Sequence, residues 1–293
     1  MFKNTILTNN AKGLIITSLG ILLMSLESLF IRLTTISPLT FSFYLGIFMF
    51  FSMLGTLLVD KKVSLAGIRK NSFSIVLLCG LVMGSANIFF ISAIKSTTVA
   101  NVVLIFGTSA LFSSFFAYLF YKVKIEKNIL IASFFMFVGL FIIFSDELGI
   151  GNLKGNIYAL LCTMFFSLYF VFLSKYTEIN RVVLTAAGGL SLALIAFFLA
   201  DSLAIDLYTL GTIATMGLLI TPVSRVLIGH GTRYINASEV SLLMIIETLM
   251  APIWVWIFLK EMPSFNTFIG GSIIMITLLT NSVYKLRKSK IEQ

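Results

Sequence analysis

Four charged residues lie inside long apolar stretches of this sequence, where a charge is costly. Glu27 and Arg32 share the first such stretch, Arg225 lies in the eighth and Glu247 in the ninth. A charge at bilayer depth costs about 2.5–3.5 kcal/mol on insertion scales, so such a residue usually faces a protein interior and marks a functional site. The chemistry open to these four residues is ion pairing, proton uptake and release, and binding of a charged substrate group.

Glu247 is the first candidate among them, because only leucine, isoleucine, methionine and threonine lie next to it in the sequence. Burial favours the neutral form of a carboxylate and a nearby cation favours the charged form, so a group balanced between the two can exchange a proton during function. The alternative is a fixed ion pair with Arg225 that locks the eighth stretch to the ninth. The sequence leaves both interpretations open.

The other three charges also have two interpretations each. An inward-facing Glu27 suits a substrate with a cationic group, and its alternative is a structural hydrogen bond to a neighbouring helix. Arg225 follows Pro222, which should distort the helix; it could bind a substrate carboxylate or simply neutralise Glu247. Arg32 is close to the end of its stretch, so we expect it to extend outward to the membrane interface rather than to bind a substrate.

Neutral polar residues at membrane depth are weaker candidates for the lining of a central cavity. Each of them more often forms a hydrogen bond between helices than a contact to a ligand. These candidates are Tyr44, Asn87, Asn101 and Tyr169. Two tryptophans, Trp254 and Trp256, lie near the end of the ninth stretch, where aromatic residues typically anchor a helix at the membrane interface. The alternative for one of them is to gate the cavity.

The elements that position these residues are predicted to be ten membrane-spanning helices. Of the 293 residues, 58% are hydrophobic and 11% are charged, with a mean hydropathy of +1.04, which leaves too little polar sequence to cover a soluble core. About 20 apolar residues span a bilayer as a helix, and a helix satisfies its own backbone hydrogen bonds there. The predicted spans are 13–35, 38–59, 72–94, 98–120, 128–146, 153–174, 182–200, 207–229, 237–259 and 265–284. The predicted fold class is therefore an all-α integral membrane protein.

The basic residues predict the orientation of these spans, since lysine and arginine stay on the cytoplasmic side of short loops. With the N-terminus inside, only Lys95, Lys154 and Lys260 of the 21 basic residues fall in outer loops, and Arg32 and Arg225 fall within spans. All the others are then cytoplasmic. We therefore expect a multi-pass protein of the cytoplasmic membrane with both termini inside.

The net charge of +9 does not indicate a nucleic-acid partner, because the positive charges are spread over the predicted cytoplasmic loops and a short tail. That tail, residues 285–290, is expected to contact anionic lipid headgroups. The two cysteines lie inside predicted spans and the single histidine, His230, has no zinc-binding partners in the sequence. The sequence also lacks nucleotide-binding and hydrolase motifs. We expect no metal, no cofactor and no enzymatic activity.

The ten spans divide into two sets of five near residue 150, giving segments 1–150 and 151–293. Repeats with an odd number of spans insert in opposite orientations, which is the plan of many secondary transporters. Residues 25–32 of the first span are similar to residues 167–174 of the sixth. A single shift in numbering between the fourth and ninth spans aligns Ser109 with Thr248 and Lys122 with Glu261.

The strongest motifs are the segment 234–247, Trp254 and Trp256, the segment 259–261, and Gly270 with Gly271. A first-half copy runs from residues 95–101 through 121–122, and residues 25–32 form a first-helix pattern that ends in a basic residue. These motifs resemble the EamA-type repeats of the drug/metabolite transporter superfamily, and the resemblance covers the whole chain in length and span count. Both copies depart from the family pattern. Ser109 and Thr248 stand where the family usually has proline. Lys122 occupies the position where the family's first copy ends in a glutamate. The resemblance implies a ten-helix secondary carrier with a cavity between its halves that moves amino acids or other small metabolites, often outward.

The predicted function is therefore secondary transport of a small-molecule substrate by alternating access, with Glu247 and Glu27 at the central site. Two alternatives remain. A channel fits the same architecture, whereas an integral-membrane enzyme acting on lipid would need a catalytic group near the headgroups, where the sequence offers one histidine and no acidic motif. The lipid bilayer is the expected surrounding partner, and the oligomeric state stays open, with a homodimer as one arrangement.

Overall fold

The computed structural model describes residues 9–59, 70–124, 127–145, 153–176, 179–231, 234–235 and 243–291. Within these ranges every regular element is helical. The helices in chain order are α1 (Asn9–Met24), α2 (Glu27–Arg32), α3 (Pro38–Val59), α4 (Lys70–Ser96), α5 (Val99–Gly107), α6 (Ser109–Tyr121), α7 (Lys127–Ser145), α8 (Leu153–Lys175), α9 (Arg181–Leu199), α10 (Leu207–Thr215), a π-helical segment (Met216–Ile220), α11 (Thr221–Gly231), α12 (Ile245–Leu259) and α13 (Phe265–Ile291).

Within the described residues, eight helical stretches are long and apolar enough to cross a membrane, and they agree with the first eight predicted spans to within a few residues at each end. Three of them are interrupted: α1 with α2, α5 with α6, and α10 with the π-helical segment and α11 each form one stretch. The ninth and tenth predicted spans contain the shorter apolar helices Ile245–Leu259 and Phe265–Asn281. Part of the ninth, residues 237–242, lies outside the described residues, so the total of ten spans stays a prediction.

Side chains of serine and threonine accompany two of the interruptions. Between α1 and α2 the Ser25 hydroxyl donates to the Leu22 carbonyl (2.6 Å), and between α5 and α6 the Thr108 hydroxyl donates to the Ile105 carbonyl (2.7 Å). Such bonds back to the preceding turn compete with the helical ladder and bend the helix. The third interruption, the π-helical segment, directly precedes Thr221 and Pro222. The missing N–H and bulky ring of this proline disturb the turn before it, as the sequence predicted.

The fourth and ninth predicted spans are irregular at equivalent positions, although neither has a proline there. The Thr108 N–H donates to the Ile105 carbonyl and, at the matching position of the second half, the Glu247 N–H donates to the Met244 carbonyl. Each bond is one residue short of the α-helical spacing. Ser109 and Thr248 stand where the family usually has proline. The helix is therefore irregular here without the proline that would normally cause it.

Both of these spans then end in a lysine with left-handed backbone, Lys122 (φ 56°) and Lys260 (φ 58°). The structural equivalent of Lys122 is therefore Lys260 and not the Glu261 that the sequence alignment indicated. The two copies differ by one position between their irregular turn and their C-terminal cap.

Packing between the two halves of the chain follows the same internal symmetry. Among the helix pairs that join residues 1–150 to residues 151–293 are α3 with α9, α4 with α8, α4 with α9, α1 with α11, α3 with the π-helical segment, α5 with α12, and α7 with α13. Exchanging the two halves converts this set of pairs into itself. The arrangement is that of two related halves interlocked along their lengths.

Glycines allow the closest of these approaches. A Cβ on Gly46 of α3 would lie 2.6 Å from the Gly189 carbonyl oxygen of α9, and a Cβ on Gly270 of α13 would lie 2.5 Å from the Gly139 carbonyl oxygen of α7. Small residues let membrane helices pack backbone to backbone. The backbones of the two halves are therefore in direct contact at both places.

The outer surface of the bundle is strongly apolar. Phenylalanines such as Phe141 (75% exposed) and Phe198 (79% exposed) project from it, as expected for side chains that face lipid.

At one end of the bundle, Asp206 caps α10 by accepting a hydrogen bond from the Thr209 N–H (2.9 Å). Hydrogen bonds from Thr209 hold the pKa of the Asp206 carboxyl below its usual range.

Candidate functional site

Three of the four predicted intramembrane charges come together at the interface between the two halves. Glu27 is the first residue of α2, Arg225 lies on α11 and Glu247 lies in the first turn of α12. The charge of Arg225 attracts both carboxylates, and the two carboxylates repel each other. All three residues are partly buried. We call Glu27, Arg225 and Glu247 the central charge cluster.

Each member of the central charge cluster lies beside an irregular piece of helix. Glu27 directly follows the interruption at Ser25 and Leu26, and Glu247 follows the irregular turn at Met244. Arg225 is about one turn after the π-helical segment, which ends at Ile220. Irregular backbone at membrane depth is tolerated where it is buried in protein or lines a cavity, and the interruptions and the cluster lie in the same region of the bundle.

Among the described residues Glu27 has one hydrogen-bond partner, on a neighbouring helix, as its structural alternative predicted, although the sequence did not indicate which residue. The Thr221 hydroxyl donates a hydrogen bond of 2.9 Å to Glu27 Oε1. Thr221 is the first residue of α11 and only 2% exposed. The two residues are 194 positions apart, and no sequence signal links them. The bond ties α2 of the first half to the start of the helix that carries Arg225.

Arg225 forms no ion pair with either carboxylate among the described residues, where the only pair within 4.0 Å is between Arg32 and Glu261. Its Nε atom is buried and has no hydrogen-bond partner in this described part of the chain. The fixed Glu247–Arg225 lock that the sequence left open is therefore not formed in this conformation. This N–H group can donate a hydrogen bond to a carboxylate, either of a ligand or of the protein after a conformational change.

Two side chains of α8 lie within electrostatic range of the central charge cluster. Cys162 interacts electrostatically with Glu247, and Tyr169 with Arg225. Tyr169 is only 5% exposed and packs against the rings of Phe166 and Phe170. Tyr169 is thus placed near the cluster, while its role there stays a prediction.

Tyr44 and Asn87 have structural partners elsewhere. The Tyr44 hydroxyl donates to the Leu203 carbonyl (2.8 Å) in the connection between α9 and α10. Asn87 Nδ2 donates to the Met83 carbonyl (2.8 Å) one turn earlier on α4. Both bonds fit the structural alternative that the sequence analysis set beside a ligand role.

Asn101 belongs to a buried polar network between α5, α8 and α13. Its Oδ1 accepts a hydrogen bond from the Thr267 hydroxyl (2.6 Å), and its Nδ2 lies 3.4 Å from Asn156 Oδ1. Asn101 and Asn156 are fully buried. The network joins both halves of the chain and explains Asn101 as a residue that fixes helix positions.

Arg32 has an acidic partner that the sequence did not indicate. Its Nε lies 2.8 Å from Glu261 Oε2, and a second guanidinium nitrogen donates to the Ile94 carbonyl (2.7 Å). Glu261 Oε1 also accepts from the Val99 N–H (3.0 Å). This ion pair ties the end of α2 to the end of α12, and the extension of Arg32 to the membrane interface stays a prediction.

Trp254 faces the protein interior, in contrast to the interfacial anchor that was one of its two interpretations. Its indole N–H donates to the Ser25 hydroxyl (2.9 Å). Ser25 directly precedes α2 in the chain, whereas Arg32 ends it, so the Trp254 and Glu261 contacts together fasten both ends of α2 to α12. Trp256 is 47% exposed and remains compatible with an interfacial position.

No group of three or more metal-ligating histidine, cysteine, aspartate or glutamate side chains occurs within the described ranges. His230 is exposed at the end of α11. The chemistry available to the central charge cluster is therefore that of its carboxylates, its guanidinium and their hydrogen-bond partners.

Comparison with known proteins gives three findings. Residues 11–145 and 153–283 match the model of the EamA-like transporter family. An uncharacterized transporter of Methanothermobacter thermautotrophicus is 27% identical over 270 residues, covering 84% of this chain and 78% of that protein. The uncharacterized transporter YdfC of Bacillus subtilis is 25% identical over 188 residues, and that match spans only 60% of each chain.

A solved structure shares the fold. The structure, titled "Crystal structure of protein", superposes with a TM-score of 0.64 over 93% of this chain and 98% of the other, at 14% sequence identity. At this level of identity the likeness concerns the architecture alone. It supports the all-helical arrangement of the described residues.

Proposed function

This chain belongs to the EamA-like transporter family, and from that premise we propose that it is a secondary active carrier. The proposed substrate is a small metabolite, such as an amino acid or a related compound. It crosses the cytoplasmic membrane by alternating access, as an exporter or exchanger. The observation that carries this proposal is the central charge cluster, which joins both halves of the chain beside three irregular helices.

The position of the central charge cluster supports alternating access. Glu27 belongs to the first half of the chain, whereas Arg225 and Glu247 belong to the second. Any rocking of one half against the other therefore changes the distances between these charges. Discontinuous helices with a site between two repeats are typical of secondary carriers.

The charge balance of the cluster supports coupling to a proton or a cationic substrate group. With both carboxylates ionised, two negative charges face one guanidinium, and the cluster has a net negative charge. One proton, or one ammonium group of a substrate, makes it neutral. Because an uncompensated charge at bilayer depth is costly, the neutral form moves between the two sides more readily. Proton and substrate amine then compete for the same carboxylates, which couples their movements.

The proposed topology has ten spans with both termini in the cytoplasm, and the equivalent loops after Lys122 and Lys260 provide its test. Cysteines placed at Val123 (55% exposed) and Met262 (68% exposed) should react with a membrane-impermeant maleimide from opposite sides of the membrane. We expect Met262→Cys to be labelled in intact cells and Val123→Cys only after permeabilisation. The native Cys79 and Cys162 are buried, and the parent protein is the labelling control. The reverse pattern would overturn the orientation, and labelling of both from one side would overturn the inverted repeat.

Counterflow in proteoliposomes tests the transport mechanism. Vesicles that contain the purified protein and a high internal concentration of unlabelled amino acids or other metabolites should transiently accumulate the matching labelled compound from outside. A carrier produces this overshoot because unlabelled exit drives labelled entry, whereas a channel only equilibrates the label. Empty vesicles are the control. Equilibration without overshoot for a compound that the protein transports would contradict the carrier and favour a channel.

A further inference from the structure

A second charged region lies away from the central charge cluster, at the end of the bundle that the proposed topology places outside. It is a cavity of about 870 Å³ between the ends of α2, α4 and α8 and the loops beside them. Three cationic side chains line it, Arg32, Lys95 and Lys154, together with one acidic side chain, Asp201. We call this cavity the outer vestibule.

The described residues place no counter-charge beside the two lysines of the outer vestibule. Lys95 Nζ donates to the Thr34 carbonyl (2.7 Å) and hydroxyl (3.0 Å), which are both neutral acceptors. Lys154 Nζ lies over the Tyr158 ring, 5.7 Å from its centroid. No carboxylate lies within 4.0 Å of either ammonium in the described part of the chain. Arg32 differs, because Glu261 already neutralises it.

Topology does not explain these lysines. The rule that keeps basic residues inside predicts few cations at this end of the bundle, and the sequence has only Lys95, Lys154 and Lys260 in the predicted outer loops. Two of the three converge on one cavity together with Arg32. Hydroxyl groups of Ser92 and Tyr158 in the same lining add hydrogen-bond donors. This is the side-chain chemistry that binds carboxylate and phosphate groups.

We propose that the outer vestibule binds the anionic group, a carboxylate or a phosphate, of the transported molecule, with Lys95 and Lys154 as the binding residues. The inference rests on the proposed carrier function and narrows its substrate class to molecules that bear such a group. Asp201 on the same cavity opposes the anion and keeps the affinity low, as release to the outside requires. Arg32 stays paired with Glu261 and contributes to the wall of the cavity.

Binding of two simple anions tests this proposal without any need to know the substrate. The full-length protein is placed in nanodiscs of phosphatidylcholine, and its unfolding midpoint is followed by tryptophan fluorescence. Succinate and inorganic phosphate are titrated against potassium chloride of equal ionic strength at constant pH. A ligand that binds only the folded state raises the midpoint in a saturable way. We expect saturable stabilisation by at least one of the two anions and none by chloride.

Three variants assign the site. The double variant Lys95→Gln/Lys154→Gln should raise the dissociation constant by about tenfold or more, since each charge lies at contact distance from the anion in a partly screened setting. Lys260→Gln is the matched control, because it removes the third outer lysine, which does not line the cavity, and it should bind like the parent. Asp201→Asn removes the opposing charge and should tighten binding several-fold. This gain cannot result from misfolding.

Several outcomes would overturn the proposal. They are no saturable response of the parent beyond chloride, unchanged binding in the double variant, or unchanged or weaker binding in Asp201→Asn. Loss of the response when part of the phosphatidylcholine is replaced by phosphatidylglycerol would assign the cavity to a lipid headgroup instead. Counterflow measured on the same preparation separates the two proposals: overshoot without anion binding rejects only the outer vestibule, and anion binding without overshoot rejects only the carrier.

Discussion

Replacing Glu247 by glutamine should abolish substrate accumulation driven by a pH gradient while counterflow continues. Glutamine has nearly the shape of glutamic acid but cannot exchange a proton. It fixes the net charge of the central charge cluster at zero, the value that the parent reaches only with a proton or a substrate cation bound. The variant should therefore still alternate between the state open to the cytoplasm and the state open to the outside. Proton binding, however, no longer drives that conformational change.

The measurement compares two assays on one preparation of Glu247→Gln proteoliposomes. Accumulation of labelled substrate under an imposed pH gradient should fall at least about tenfold, because one charge-assisted interaction contributes on the order of 1.5–3 kcal/mol, while the counterflow overshoot persists. Glu261→Gln is the control, since that carboxylate pairs with Arg32 at the far end of α2 and lies outside the cluster. It should keep its response to the pH gradient.

Accumulation in Glu247→Gln that follows the pH gradient as in the parent would reduce Glu247 to a structural residue. If folded Glu247→Gln protein showed neither accumulation nor counterflow, Glu247 would instead be assigned to substrate binding. The two results are distinguishable because counterflow needs substrate binding and movement but no gradient of protons.

Much of the architecture follows from the sequence because the bilayer imposes it. The thickness of the hydrocarbon core sets the length of each span, and eight predicted spans agree with the helices to within a few residues. The grouping of Glu27, Arg225 and Glu247 was also predictable, since charged side chains inside a bilayer usually pair with one another or face a shared cavity.

Partners across the two halves could not be predicted in the same way. Thr221 bonds to Glu27, and Glu261 holds Arg32, over separations of 194 and 229 residues. Nothing local in the sequence specifies such contacts, since they depend on how α2 packs against α11 and α12. Arg32 illustrates this: its position near a span end gave no indication of the acidic partner that the other half of the chain supplies.

The helix interruptions were only partly predictable. Pro222 gave a local signal for the π-helical segment. The interruptions at Ser25 and Thr108 use side-chain bonds to the preceding turn, and many serines and threonines in helices form such bonds without ending them. A serine or threonine alone therefore does not predict a break. The same short backbone bond occurs at Thr108 and at Glu247, so both halves interrupt the helix at the equivalent position.

Replacing Gly46 by alanine should destabilise the protein, because α3 and α9 touch at this glycine. The added Cβ would lie 2.5 Å from the Ala193 nitrogen and 2.6 Å from the Gly189 carbonyl oxygen, and real Cβ atoms do not approach backbone atoms so closely. The two helices would have to separate along the contact that joins the halves. Overpacking of this kind costs about 1–3 kcal/mol, and here backbone atoms leave no flexible side chain to yield.

Gly55→Ala is the matched control, because it adds the same methyl group to the same helix at a position with no other atom within 4 Å of the new Cβ. Alanine is favoured over glycine in a helix by about 1 kcal/mol, so this variant should unfold at the same temperature as the parent or slightly above. The midpoint of thermal unfolding in detergent, followed by tryptophan fluorescence, measures both variants. A midpoint for Gly46→Ala equal to that of Gly55→Ala would show that α3 and α9 do not approach through these glycines. A selective loss would establish the backbone contact between the halves, and Gly270→Ala, at the other such contact, between α13 and α7, should show a similar loss.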